Sequence, residues 1–345
     1  MKRLVACTDG TWNKPGDLEN GKSVDSNVCL IYQAVAAKAT DGTQQVKVYD
    51  TGVGSSYGWR DKILGGTMGK GLDQKIMDMY AFLMLNYSPG DELYFLGFSR
   101  GAYTARSLAG FIRNCGILKP AYLHLLLKAF ELYRDRNSFT APDSDLMISF
   151  RRNYSIEDVT PIHFVGVWDT VGSLGLPLTF LRMYNMEKYQ FHDETLSSTV
   201  RNAFQALSID DRRKLFQPTL WEASKNKTAN QNCEQRWFAG VHCNVGGGYE
   251  DKGLSDRALH WLIEKASGAG LEFNPDRLAT IHANPFGELR NSYTPAFWFW
   301  PKIWRGIKTP NKVNETFDES VKMRLAKDGK YRPENLRAFF PEYYK

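Results

Sequence analysis

Cysteine is scarce in this 345-residue chain, and its few copies are scattered. The five, Cys7, Cys29, Cys115, Cys233 and Cys243, never fall into a Cys-x-x-Cys pair. That excludes a disulfide framework or a thiolate zinc site and leaves reduced, buried thiols as the expectation. Long apolar runs are missing too: none approaches the ~20 residues a membrane-spanning helix requires. The short apolar stretch in the opening MKRLVACTDG is far below the core of a signal peptide. The expectation is a chain that folds in the cytosol, with any export left to a machine that ignores signal peptides. Neither sign of charge dominates. A net +6 is too slight to argue for a nucleic-acid partner. Internal repeats, heptads and low-complexity linkers are absent, so a single domain over 1–345 is expected.

What is present is an alternation of short β-rich apolar runs with helical segments. This predicts an α/β fold: a mostly parallel central sheet with helices on both faces. Strands are expected at Leu4–Thr8, Val46–Tyr49, Glu92–Phe98, Pro161–Trp168 and Gln235–Val241. Helices are expected at Asn27–Ala37 with Asn27 as cap, Leu72–Tyr87, Arg100–Asn114, Ser197–Leu207, and from a Ser255 cap to Ala266. Two more, near Ala121–Arg134 and Ser144–Arg152, read as a helical insertion within 115–160, and residues 285–345 as an aromatic-rich C-terminal segment packed on the domain. Gly52 to Gly71 is longer than connections usually are, which marks it as a candidate functional loop, with Gly54 a substrate-loop candidate.

Gly97-Phe98-Ser99-Arg100-Gly101 fits G-x-S-x-G. The pattern is weak alone, but here it follows a seven-residue apolar strand and opens a helix rich in small residues. That is the strand-to-helix turn which lifts a nucleophilic serine clear of a sheet. A serine nucleophile needs a base, and the base an orienting carboxylate, in the chain order Ser, Asp, His. Asp169 ends the strand His163 to Trp168; His242 follows Trp237 to Val241 and enters Gly246-Gly247-Gly248. Both sit at strand ends, where open α/β sheets build their sites. His124 and His260 fall in helices, His163 in a strand, and His192 and His282 in polar or loop stretches, so they compete poorly. The oxyanion hole is expected from the backbone N–H of Arg100 and a second donor at Gly10 or Thr11. Asp9 and Trp12 flank that loop, with Asp9 equally suited to bracing it by hydrogen bonds.

With these residues placed, the chain resembles the bacterial type VI secretion phospholipase effectors, in their α/β-hydrolase catalytic domain. The stretches carrying the resemblance are Asp9-Gly10-Thr11-Trp12-Asn13, Gly90-Asp91 through Ala102, Val167-Trp168-Asp169-Thr170-Val171-Gly172 and Ala206 to Asp210. Gly240-Val241-His242 with Gly246-Gly247-Gly248-Tyr249, Leu254-Ser255-Asp256 and Tyr331-Arg332-Pro333 continue it. The resemblance implies Ser99, Asp169 and His242 as the triad, an acyl ester of a glycerophospholipid as substrate, and an immunity or secretion partner. Acyl transfer by such a triad needs no cofactor and no metal. The residue two after the family's histidine is usually aspartate, and here it is Asn244, which with Asp9, Trp12 and Gly54 is a candidate substrate-binding loop residue. The chain reads as the catalytic domain alone, without the membrane-associating extension of known effectors. A non-lipid ester or thioester, or an inactive binding protein on the same fold, are the alternatives; fluorophosphonate labelling of Ser99 separates the last.

Two look-alike motifs fail. Gly65 to Gly71 has Leu64 and Gly71 where a Walker loop needs glycine and Ser/Thr, and Asp9-Gly10-Thr11 has Cys7 where an aspartyl phosphatase needs a second acid. Phe297 to Arg305 mixes aromatics with cations. Such a stretch suits a membrane interface, although burial as a lid or core segment is favoured because large aromatics are mostly buried.

Overall fold

The computed structural model describes residues 1–10, 15–51, 67–135, 137–172, 196–222, 231–307 and 314–344. Among these, seven strands form one all-parallel sheet: β1 (Arg3–Thr8), β2 (Gln45–Asp50), β3 (Glu92–Phe98), β4 (Ile162–Trp168), β5 (Val200–Ser208), β6 (Asn232–Phe238) and β7 (Glu315–Phe317). Their spatial order is β2-β1-β3-β4-β5-β6-β7. A parallel sheet must be covered on both faces, which is why β3 reads as an unbroken apolar run. Its side chains still alternate. Leu93 and Phe95 face one core with Leu83 of α2 (Thr67–Asn86), Leu108 and Phe111 of α3 (Arg100–Cys115), Phe130 of α4 (Leu126–Arg134) and Met147 of α5 (Asp145–Tyr154). Tyr94, Leu96 and Phe98 face the other core, with Ile31 of α1 (Asn27–Ala34) and Leu259 and Leu262 of α7 (Gly253–Gly268). Between these helices in chain order, α6 (His242–Gly246) is a single short turn. A third cluster joins Leu207, Ile209 and Trp237 to Val321 and Leu325 of α8 (Glu319–Lys327), and to Leu336 and Phe340.

The chain steps outward from β1 to β2, then returns across β1 to β3. This reversal makes a topological switch point between β1 and β3, and open α/β sheets bind ligands beyond the carboxyl ends of the strands there. Thr8 and Phe98 end those two strands, so residues 9 and 99 fall at that crevice.

Several local expectations are corrected. Residues 197–207, expected as a helix, hold strand β5 from Val200 onward instead. β5 is hydrogen-bonded between β4 and β6 and buried on both faces, so packing overrides propensity. Its buried Gln205 is provided for: the amide donates to Thr219 O at 3.2 Å and to Gln235 Oε1 at 3.1 Å. The cap of α1 is Ser26, whose hydroxyl accepts from Cys29 N at 3.1 Å, rather than Asn27. Helix α7 begins at Gly253, whose N–H donates to Asp251 Oδ1 at 2.9 Å, so Ser255 lies inside its first turn. The strand expected to run to Val241 stops at Phe238, because Gly240 turns away at φ +123° with its N–H on Asp210 Oδ2. The helical stretch near 121–134 is a 3-10 turn over Pro120–Leu125 followed by α4. The segment 67–71, expected in the Gly-rich loop, opens α2; Gly54 and the rest of that loop lie outside the described residues.

Candidate active site

Ser99 sits between β3 and α3 at φ +58°, ψ −118°, a conformation a non-glycine residue rarely adopts. The turn is held by Ser99 N donating to Trp168 O at 2.9 Å and by Thr8 Oγ1 donating to Gly101 O at 2.7 Å. Both flanking glycines are sterically required. A methyl group on Gly97 would lie 2.5 Å from Gly101 O, and one on Gly101 would lie 2.0 Å from Thr8 O. The motif is therefore spelled by close packing of strand, turn and helix.

His242 is the first residue of α6, directly after the Gly240 turn. Its Nε2 lies 2.8 Å from Ser99 Oγ and its Nδ1 2.5 Å from Asp169 Oδ2. The imidazole is buried among Phe98 and Phe216, with ring centroids 4.6 and 5.1 Å away. Burial pushes it below the usual histidine range, against the pull of Asp169. An imidazole kept neutral in this way is ready to accept a proton. Asp169, at the end of β4 with φ +45°, has no exposed surface. Burial alone would raise its carboxyl, yet the charge of Arg305 and the His242 hydrogen bond outweigh it and hold it well below the ordinary carboxylate range. With Asp169 ionised, Nδ1 carries the hydrogen and Nε2 accepts from the serine hydroxyl. The arrangement can draw a proton from Ser99 Oγ and return it to a leaving group.

The remaining predicted positions divide. Arg100 opens α3, so its backbone N–H lies at the helix end facing the crevice, where a developing oxyanion would sit. Gly10 is otherwise engaged: its N–H donates to Asp9 Oδ1 at 2.6 Å, which takes it from the oxyanion role. Asp9 is a brace. It is buried and also accepts from Ser26 Oγ and, at 2.5 Å, from Tyr49 OH. Thr11 and Trp12 lie outside the described residues. Asn244 is buried rather than facing a substrate; its Oδ1 accepts from Val241 N and Arg290 N, and its Nδ2 donates to Glu288 O at 3.0 Å. An aspartate there cannot make that last bond, and would set a carboxylate against a carbonyl. Asn244→Asp is expected to lower stability by about 1–3 kcal/mol, read as a fall in urea midpoint at unchanged slope; an unchanged midpoint would refute the brace.

Sequence reasoning missed Arg305, Asp211 and Phe216. Asp211, fully buried, accepts from His242 N at 3.2 Å and from Arg213 Nη2 at 2.7 Å, which steadies the histidine's backbone. Arg305 donates to both carboxylate oxygens of Asp169, at 2.5 and 2.9 Å. The only signal for it was the mixing of cations with aromatics in 297–305. That segment also divides: Trp298, Phe299 and Trp300 are exposed, at 67%, 92% and 37%, while Arg305 is buried. Among the described residues no group of three or more His, Cys, Asp or Glu could hold a metal ion, and no helix is long and apolar enough to cross a membrane.

Comparison with known proteins follows the same lines. An uncharacterized protein of Saccharomyces cerevisiae, YEL023C, is 28% identical over 234 residues, which cover 62% of this chain and 32% of that protein. The chain thus spans about a third of that curated relative. A crystal structure of an uncharacterized Pseudomonas aeruginosa protein covers 82% of this chain and 49% of its own, at 17% identity and a TM-score of 0.52, and shares the fold. A Tle1 effector, solved bound to the VgrG spike of the type 6 secretion system, covers 73% of this chain and 52% of its own, at 16% identity and a TM-score of 0.40. The profile of the family described as T6SS, phospholipase effector Tle1-like, catalytic domain matches residues 2–265. The chain is an α/β-hydrolase-type catalytic domain, and it belongs to the Tle1-like phospholipase effector family.

Proposed function

We propose that this chain hydrolyses acyl esters of glycerophospholipids by a serine acyl-transfer mechanism. The observation that carries the proposal is the unbroken path from Ser99 Oγ through His242 to Asp169, at 2.8 and 2.5 Å, at the switch-point crevice. In this mechanism His242 takes the Ser99 proton as the oxygen attacks the ester carbonyl, and the N–H of Arg100 holds the oxyanion. His242 then hands the proton to the leaving alcohol. Water, activated by the same imidazole, frees the fatty acid and restores Ser99. Membership of an effector family supports a signal-independent secretion route and the partners that go with it.

Phospholipid is favoured over a soluble ester because the exposed aromatics stand close to the histidine. Phe297 packs on Phe216 at 5.8 Å and Phe216 on His242 at 5.1 Å, and the exposed Trp298 and Phe299 follow Phe297 directly in the chain, with Lys302 exposed as well. Amphipathic rings and cations of this kind suit a headgroup layer.

Fluorophosphonate labelling followed by mass mapping tests the nucleophile, and fatty-acid release from phosphatidylglycerol vesicles tests the substrate. Label on Ser99 and release from vesicles are expected. A folded chain that takes no label would be a binding protein, and turnover confined to soluble esters or thioesters would remove the lipid. Replacing Trp298 and Phe299 together by serine is expected to lower the ratio of vesicle to soluble-ester hydrolysis about tenfold or more, from the apolar area withdrawn from the interface. An unchanged ratio would leave the lipid-surface contact without support.

A further inference from the structure

Arg305 is fully buried, and its guanidinium makes four hydrogen bonds behind the triad. Nη1 donates to Asp169 Oδ1 at 2.5 Å and to Ser208 O at 2.9 Å; Nη2 donates to Asp169 Oδ2 at 2.9 Å and to Phe216 O at 2.5 Å. Asp169 also accepts from Ser208 N at 2.9 Å and from Ser208 Oγ at 3.3 Å. A two-pronged pair of this sort fixes a carboxylate's plane as well as its place. Buried ion pairs are weak devices for stability, because desolvating two charges offsets most of their attraction. A buried arginine clamped on a carboxylate that itself orients a histidine therefore points to a role in the chemistry.

We propose that Arg305 is a positioning residue of the acyl-transfer reaction, turning the Asp169 carboxylate onto His242 Nδ1 and taking up part of its negative charge. The inference rests on the serine-hydrolase reading of the site. Two consequences follow from the one contact. The fork holds Asp169 Oδ2 where Nδ1 meets it, and so aims Nε2 at Ser99. The guanidinium also spends charge that Asp169 would otherwise direct at the imidazole, which keeps His242 an unprotonated base in mildly acidic conditions.

Among the described residues, the other charged groups around these three are held by hydrogen bonds, and burial raises the Asp210 carboxyl to about 6. From the segment after β5, Asp211 and Arg213 face His242, and Asp210 and Asp211 face Arg305. Asp210 is tied to Gly240 N and to Tyr331 OH, with the charge of Arg324 nearby. From α6, Cys243 adjoins the same group, and burial raises its thiol, so it stays neutral. None of these donates two bonds to Asp169. Removing Arg305 alone therefore leaves the Asp169 charge to His242, and the imidazolium form gains.

The test uses two substitutions and two readouts. Arg305→Met removes the charge and Arg305→Lys keeps it without the fork. In the Ser99→Ala chain, side-chain proton–nitrogen NMR follows the His242 titration with no need for turnover. Arg305→Met is expected to move it upward by roughly half a pH unit or more, and Arg305→Lys to leave it near the parent value. With Ser99 present and a soluble ester as substrate, Arg305→Lys is expected to lower kcat about tenfold to a hundredfold, with KM within about twofold, since a small misplacement of a catalytic group costs rate more than binding. A His242 titration that stays put or moves down in Arg305→Met, or an Arg305→Lys enzyme with parental kcat, would overturn the proposal. If Arg305→Met does not fold, the kcat of Arg305→Lys decides alone. Failure of the unsubstituted chain to label or turn over would instead strike the serine-hydrolase reading, which keeps the two failures apart.

Discussion

Ser99→Ala is expected to lower kcat on any ester substrate by about 10⁴- to 10⁶-fold while leaving the fold in place. The size follows from the loss of the attacking atom: what remains of the site, an oxyanion donor and substrate binding, supports only a small residual acceleration. The fold survives because the Ser99 hydroxyl is not part of the turn's scaffold. The turn is held by Ser99 N on Trp168 O and by Thr8 Oγ1 on Gly101 O, and alanine keeps both. Steady-state hydrolysis and near-ultraviolet circular dichroism measured on the same preparation check the two halves. Activity within tenfold of the parent would place the nucleophile elsewhere.

Gly101→Ala is expected to fail in the opposite way, by losing the fold along with activity. The added methyl group would fall 2.0 Å from Thr8 O and 2.6 Å from Asp9 O, both backbone atoms of β1 and its following loop. No rotamer change can relieve a clash with backbone. Either α3 backs off the sheet or β1 shifts against β3, and β1 is paired with β3 along its whole length. Overpacking a tight site costs about 1–3 kcal/mol or more, and a backbone clash belongs at or above the top of that range. Urea unfolding gives the cost directly. A loss under about 1 kcal/mol would mean that the elbow is looser than its geometry implies.

These two residues also mark where the sequence was legible. The elbow is a local feature: strand, turn and helix follow one another without a break from Glu92 to Cys115, so composition and spacing carry it. Asp169 and His242 were readable because parallel sheets place side chains of interest at strand ends, and the strands before them are strongly apolar. Arg305 was not readable in this way. It meets Asp169 from 136 residues further along the chain, in a stretch whose aromatic content reads equally well as core, lid or membrane contact. Strand β5 was misread because Ala203, Gln205, Ala206 and Leu207 are good helix formers, and only its position between β4 and β6 decides the matter. Gly10 and Asn244 show a third limit. Residue type said that each could serve a ligand, whereas hydrogen bonds to Asp9 and to the 288–290 backbone commit them to the scaffold.

The parallel sheet carries a consequence for the order in which the protein becomes active. Ser99 and His242 are 143 residues apart in the chain, and Asp169 and Arg305 a further wide span, 136 residues. At roughly 5–20 residues per second, a ribosome delivers the histidine about 7–30 s after the serine, and Arg305 later still. During that interval the elbow can form with no base beside it. Six of the seven strands of the sheet precede α6, so a nascent chain that has reached β6 carries Ser99 and Asp169 but not yet His242 or Arg305, and the proposed chemistry waits on residues 242–305.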